Sequence, residues 1–377
     1  MTTLRVIVDE MISPAPGGTA RYTEELTRAL IAHAPVGCFV EGIVSASPEP
    51  DYARIADRLP GLTGLFKSTL ARRELTTAWQ HGFTPIPPGM VHAPSLLAPL
   101  RRHDRVNTRV NQIVVTLHDV TAWTHPESLP SRRAAWTKSM AQRAYKYADA
   151  IVVPTHAVAE ELDGILDFGE RIRVIGGAVS SRLVRPIDAE ARAIRLELPE
   201  RYLLAMGGLG SRQGIDELLA ALAIPGAIDL PLLVVGAEEE PGALVAAASS
   251  AGIPDGRVVA LGHLSDSDLA VALDRAAVFV FPALTDGFGM SMLEAFHFGT
   301  PVVHSDSPSL VEVAGGAGLA VPLDDAADYP ARLAEAIDSV ANDSELANRL
   351  SILGEDRAKM FSWRASAEKV WQLHADL

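Results

Sequence analysis

"VFVFPALTDGFGMSMLEAFHFG", residues 278–299, is the stretch whose reading decides the fold. Apolar, β-favouring residues run into a polar loop with two glycines, and an apolar segment of helical period follows. A strand that feeds a helix through a short glycine turn is the building unit of an open parallel sheet. The junction also holds two carboxylates, Asp286 and Glu294, which a turn alone does not require.

The same alternation runs through all 377 residues. "LRVIV" at 4, "CFVEGIV" at 38, "QIVVTL" at 112 and "AIVVP" at 150 come first; "YLLAM" at 202, "PLLVV" at 231, "RVVAL" at 257 and "VFVFP" at 278 follow. Continuous apolar strands between helices mean a parallel sheet covered on both faces, so the fold class is α/β. The length fits two domains. The pattern restarts after "SSRLVRPIDAEARAIRLELPERY", a charged stretch punctuated by proline, which places an amino-terminal domain over 1–185 and a carboxy-terminal one over 186–361, both doubly wound. In the closing segment, 362–377, Ser362 is an N-cap candidate and Trp363, Ala367, Val370, Trp371 and Leu373 recur at helical spacing. That face needs a surface to cover, and the amino-terminal domain is one of the two that could supply it.

Composition narrows the function. A single cysteine, Cys38, excludes an intrachain disulfide and fits a reducing cytoplasm. The start "MTTLRVIVDE" lacks the features of a signal peptide, and no apolar run reaches the roughly 18 residues of a spanning helix, so a soluble protein is expected. The net charge of −14 argues against general nucleic-acid binding. It is unevenly shared: residues 1–185 hold 21 Lys and Arg against 18 Asp and Glu, and residues 186–377 hold 12 against 29. Such asymmetry points to different partners for the two halves, or to no more than a surface difference between two domains.

In open parallel sheets ligands bind outside the carboxyl ends of the strands, which singles out four loops. After "LRVIV", Gly17 and Gly18 precede a helix with Tyr22, Leu26, Ala29 and Leu30 on its apolar face. A glycine pair there lets backbone amides approach an anion at the positive end of the helix, although many ordinary loops look the same. After "QIVVTL" come His118 and Asp119; a histidine at a strand end can donate to a phosphate or a sugar hydroxyl, or can be structural. After "YLLAM", Gly208, Gly210 and Gly214 form G-x-G-x-x-x-G, with Glu238 past the next strand, a pattern that leaves an NAD(P)-dependent oxidoreductase open. Arg212 in the same loop suits a phosphate.

The fourth loop is the opening stretch. Gly287 and Gly289 turn the chain, "MSMLEAFHFG" reads as a short helix ended by Gly299, and the first-turn amides of Met290, Ser291 and Met292 form a cradle for a diphosphate. Asp286 and Glu294 would repel that diphosphate unless they bound neutral hydroxyls. The chemistry implied is a sugar and a diphosphate.

"FPALTDGFGMSMLEAFHFGTPVVHSDSPSLVEVAGGAGLAVPLDD", residues 281–325, resembles the donor-site region of the retaining, nucleotide-sugar-dependent glycosyltransferases of family four. Their motif is a glutamate, seven residues and a second glutamate, and their fold is GT-B, two Rossmann-like domains facing across a cleft. "GGTARYTEEL", "TLHD", "ADAIVVPTHAVAEEL" and "FSWRASAEKVW" extend the resemblance over almost the whole chain. It implies that Glu294 binds the nucleotide ribose and that Asp286 touches donor-sugar hydroxyls. The loop of Gly287, Phe288 and Gly289, with the amides of Met290, Ser291 and Met292 and those of Gly17 and Gly18, would hold the diphosphate. His118 would sit against the transferred sugar, Arg212 beside Gly208 would neutralise the leaving diphosphate, and backbone near His263 and Leu264 would meet the base.

The resemblance further implies no metal and no cofactor, a nucleotide-sugar donor with GDP-mannose as the leading case, and a glycan or lipid-linked acceptor of the cell envelope. Two positions depart from the family: Asp286 replaces its first glutamate, and Gln213 stands where a lysine is expected, with Arg21 a nearby substitute cation. The acceptor is expected on the amino-terminal domain. Lys67, Arg72 and Arg73, with Arg101, Arg102, Arg105 and Arg109, could meet an anionic membrane surface or a phosphorylated acceptor, or could be solvated loop residues. A non-catalytic sugar-nucleotide-binding relative is the alternative that Asp286 and Gln213 raise.

Overall fold

A strand buried on both faces must send alternate side chains into two separate cores, and the computed structural model, which describes residues 2–13, 17–83, 88–104, 110–210, 212–236 and 242–377, shows this. In the segment 278–281, Val278 and Val280 enter one core while Phe279 and Phe281 enter the other. Leu203 and Ala205 divide from Tyr202 and Leu204 in the same way.

The first sheet contains β1 (Thr2–Ile7), β2 (Cys38–Ala46), β3 (Gly64–Ala71), β4 (Met90–Ala93), β5 (Gln112–Thr116), β6 (Ala150–Val153) and β7 (Ile172–Val174), in the order β3-β2-β1-β4-β5-β6-β7. The second contains β8 (Leu203–Met206), β9 (Leu232–Val235), β10 (Val258–Gly262), β11 (Val278–Phe281), β12 (Val302–Ser305) and β13 (Leu319–Val321), in the order β10-β9-β8-β11-β12-β13. Neighbouring strands in both sheets pair in parallel. Winding therefore reverses between β1 and β4 in one sheet and between β8 and β11 in the other, and these are the places where a doubly wound sheet opens a crevice at its carboxyl edge.

The chain divides into two compact units, 1–177 with 362–377, and 178–361. The change falls between Gly177 and Ala178, not after residue 185. The charged stretch that suggested the later position is tied into the second unit: Leu183 is buried in its core, Arg182 pairs with Asp266 at 3.0 Å, Arg185 with Asp274 at 2.7 Å, and Arg192 with Asp268 at 2.8 Å.

The closing helix, Trp363–Asp376, packs in the first unit. Ser362 caps it, its Oγ accepting from the Ala365 amide at 3.1 Å. Trp371 donates its indole N–H to the carbonyl of Leu30 at 3.1 Å, so the second tryptophan satisfies its polar atom on the helix Gly18–Ala32 while its ring is buried. Ser366 donates to the carbonyl of Gly176 at 2.7 Å. Farther along, His374 Nδ1 donates to Gln112 Oε1 at 2.9 Å, and Gln112 Nε2 returns a bond to the His374 carbonyl at 3.1 Å.

Candidate functional site

In the second unit the two loops at the β8/β11 reversal are built as one piece. The Leu284 amide, after β11, donates to the carbonyl of Arg212, after β8, at 2.8 Å. Gly214 sits between them with φ +74°, and a Cβ there would stand 2.1 Å from the carbonyl oxygen of Pro282. Only glycine satisfies both the left-handed backbone and that approach. Asp216, in the first turn of the helix Ile215–Leu222, accepts the Gly210 amide at 2.7 Å and closes the loop. Two of the three glycines that suggested a dinucleotide fingerprint, Gly210 and Gly214, thus have local structural work, and Glu238 lies outside the described residues.

The loop after β11 is held by Asp286. Its Oδ1 accepts the amides of Phe288 at 2.8 Å and Gly289 at 2.6 Å, an Asx turn that aims the following helix. Gly289, at φ +74°, is the N-cap of the helix Met290–His297, and no side chain caps it. The first bond inside the helix runs from the Leu293 amide to the Gly289 carbonyl at 3.0 Å, so the amides of Met290, Ser291 and Met292 precede the ladder. Phe288 rests edge-on against Phe361, centroids 5.7 Å apart, and fixes the outer wall of the loop. Glu294 lies one turn into the helix and is 2 % exposed. A carboxylate so deep beside a helix amino end has the position to receive hydroxyl hydrogens next to an anion held by the amides.

Gly208, Arg212, Gly287 and these residues share the carboxyl edge at the reversal. His263 and Leu264 follow β10, two strands beyond β8 on that edge, roughly 10 Å away at ordinary strand spacing. His263 is exposed, and Leu264 packs against the core that contains Phe281 and Phe288.

In the first unit, His118 follows β5 and donates Nε2–H to the carbonyl of Pro94, just after β4, at 2.8 Å. Its ring meets the edge of Tyr22 at 4.7 Å between centroids. Tyr22 stands one turn into the helix that begins after Gly17, so the glycine loop and the histidine are joined through one aromatic ring. Neither Gly17 nor Gly18 has a positive φ, and a Cβ at either would meet nothing within 4 Å. Their small size is not demanded by packing against described residues.

The basic residues prove less available than expected. Arg72 is 29 % exposed and turns inward: Nη1 pairs with the buried carboxylate of Asp9, and Nη2 with Glu10 Oε2 at 2.7 Å. Ser95 donates to the other oxygen of Glu10 at 3.1 Å. Lys67, on β3, lies 3.3 Å from Glu49 and 4.0 Å over the Tyr52 ring. Arg73 and Arg102 are exposed and Arg101 is half-buried, while Arg105 and Arg109 lie outside the described residues. The stretch expected as a basic loop is an edge strand and a helix, Arg72–His81. Sequence reading missed Asp9, Glu10 and Ser95; the acidic pair directly after "LRVIV" was the available signal. It also read Tyr22 and Trp363 as packing residues alone.

Among the described residues no three His, Cys, Asp or Glu side chains gather as metal ligands, and no helix is long and apolar enough to cross a membrane.

Two parallel sheets, each with its polar loops at the point of reversed winding, define a two-unit, doubly wound α/β protein, and comparison with known proteins gives its family. The family described as "Glycosyltransferase Family 4" matches residues 16–182, and "Glycosyl transferases group 1" matches residues 187–357. The O-antigen chain mannosyltransferase B of Escherichia coli is 30% identical over 264 residues, 68% of each chain. The MMP alpha-(1->4)-mannosyltransferase of Mycolicibacterium hassiacum is 26% identical over 393 residues, 93% of this chain and 92% of that one. The structure of Anabaena HepE with UDP-glucose has a TM-score of 0.71 at 16% identity, covering 100% of both chains, a likeness of fold. The chain belongs to the family-four glycosyltransferases and has the GT-B fold.

Proposed function

We propose that the protein transfers mannose from GDP-mannose, with retained anomeric configuration, to a glycan or lipid-linked acceptor of the cell envelope. The observation that carries the reading is the helix Met290–His297: its amino end has no side-chain cap, and the buried Glu294 stands one turn behind it. Mannose is favoured because both relatives named above are mannosyltransferases.

In this reading the diphosphate lies on the amides of Met290, Ser291 and Met292, where the helix dipole is positive. Arg212, on the adjoining loop, balances charge as the nucleotide leaves. Glu294 takes the ribose hydroxyls, and the base lies toward His263 and Leu264; the edge from β11 to β10 spans roughly 14 Å, enough for a nucleoside diphosphate. Asp286 Oδ1 is committed to its own loop, so sugar contact at 286 falls to Oδ2. The Gly17 loop and His118 act on the donor's diphosphate and transferred sugar.

Departure of the nucleoside diphosphate breaks the anomeric C–O bond, the acceptor hydroxyl bonds to the same carbon from the same face, and its proton passes to the departing phosphate oxygen. The rate then rests on stabilising the leaving group, for which amide dipoles and a guanidinium suffice without a metal. In this reading the protein is cytoplasmic, and a lipid-linked acceptor would bring it to the inner face of the membrane.

Incubating the full chain with GDP-mannose in EDTA tests this. GDP should be released, and Glu294→Ala or His118→Ala, still folded, should slow release about 100-fold or more. No release from GDP-mannose with ready release of UDP from UDP-glucose would overturn the donor assignment; no turnover of either would overturn the reading.

A further inference from the structure

Two of the groups that meet His118 are the Pro94 carbonyl and the Tyr22 ring. The Pro94 carbonyl fixes Nε2 as a donor, and that bond sets the direction of one N–H without setting the plane of the ring. Tyr22 restrains that plane, its ring meeting the histidine at an interplanar angle of 82°. An edge-to-face pair at this distance restricts the ring plane as well as its position. Tyr22 is itself 4 % exposed and is backed by Trp363, with centroids 5.5 Å apart and planes at 67°.

Trp363 is the first residue of the closing helix, and that helix is anchored in the first unit at its Ser362 cap, Ser366 and Trp371. The three rings therefore form a row from the start of that helix to the histidine. A row of this kind transmits position, because close-packed rings cannot move independently.

We infer that Tyr22 and Trp363 are positioning residues for the transferase reaction: the closing helix sets the ring plane of His118 through them. The inference rests on the reading that His118 acts on the transferred sugar. Neither residue need touch substrate. Removing Trp363 lets Tyr22 relax into the vacated volume, the His118 ring follows, and the geometry at the anomeric carbon is lost while the donor is still bound by the second unit.

The test is a double-mutant cycle on GDP release from GDP-mannose, with wild type, Trp363→Leu, His118→Ala and the double variant. Trp363→Leu should lower kcat about tenfold with KM for GDP-mannose within about twofold, and in the His118→Ala background the same change should have almost no further effect. Tyr22→Phe, which keeps the ring, should restore most of the activity that Tyr22→Leu loses. A tenfold loss that persists in the double variant would show that Trp363 acts by general stability and would overturn the inference. If His118→Ala leaves GDP release unchanged, the assignment of His118 itself fails. The ring carbon–proton NMR signals of His118 give an answer without turnover: they should shift in Trp363→Leu, and unmoved signals count against the row.

Discussion

Asp286 and Gly214 show at the scale of single residues what the second unit's edge requires. Asp286 is where the chain departs from the family's glutamate, and the shorter side chain braces its own loop, one oxygen accepting two consecutive amides. Asparagine retains a carbonyl oxygen on the same stem. Asp286→Asn should therefore leave the thermal midpoint nearly unchanged, whereas Asp286→Ala should cost about 1 kcal/mol in a denaturant titration by stranding the two amides. Equal losses in both variants would show that the cap does not hold the loop. Gly214→Ala is a harsher change. The new Cβ would meet backbone, not a flexible side chain, and the chain would be strained at φ +74° as well. Loss of about 3 kcal/mol or more, or of donor binding where the fold survives, is the expected outcome in paired melting and titration experiments.

Elements were legible where the apolar run was continuous, as in the outermost β10, and obscure where it was short or mixed, as in the interior strands β4 and β12 that the sequence reading passed over. Central strands with no competing pattern, β1, β5, β6, β8 and β11, could be read directly. β3, β7 and β13 are outermost in their sheets; β3 carries Lys67 and Ser68, and its mixed burial hides the strand character. The same one-sidedness made Arg72 look like a surface cation, since nothing local in sequence reveals that Asp9, far away along the chain, faces it. Loops at the carboxyl ends were legible because parallel topology dictates where they lie. The aromatic row was not, because it joins three segments distant in sequence.

The closing helix carries a consequence for acid stability. His92 is fully buried and its pKa is lowered by burial to about 3; burial, with His92 second, holds His374 well below the usual range. His374 Nε2 and His92 Nδ1 lie 3.4 Å apart, a contact that suits two neutral rings and not two charged ones. Between about 3 and 6.5 the unfolded chain binds a proton at His92 that the folded chain refuses. Stability is thus retained above that window and lost as the pH falls through it, by up to about 1.4 kcal/mol per pH unit for each histidine. Unfolding midpoints measured at pH 7 and pH 5 should drop more for the wild type than for a His92→Leu, His374→Leu chain. Matching drops would place the acid sensitivity elsewhere.

For the whole molecule, the uneven charge takes on meaning beside the fold. Residues 186–377, with 12 Lys and Arg against 29 Asp and Glu, include the loops assigned to an anionic donor. Long-range attraction cannot bring a nucleoside diphosphate there, so the local amides of the helix Met290–His297 and the guanidinium of Arg212 must supply the binding. The family was legible in "TDGFGMSMLE" because anion binding by a helix end has a fixed sequence form; the base and the sugar were not, because exposed and variable loops decide them. Isothermal titration of the full chain with GDP, UDP, TDP and ADP, and of Glu294→Ala with the preferred one, tests the central claim most directly. Saturable binding with GDP the tightest ligand, weakened about tenfold or more in Glu294→Ala, is the predicted result. Heat-silent, unsaturable titrations with all four nucleotides, or affinity indifferent to Glu294, would contradict it.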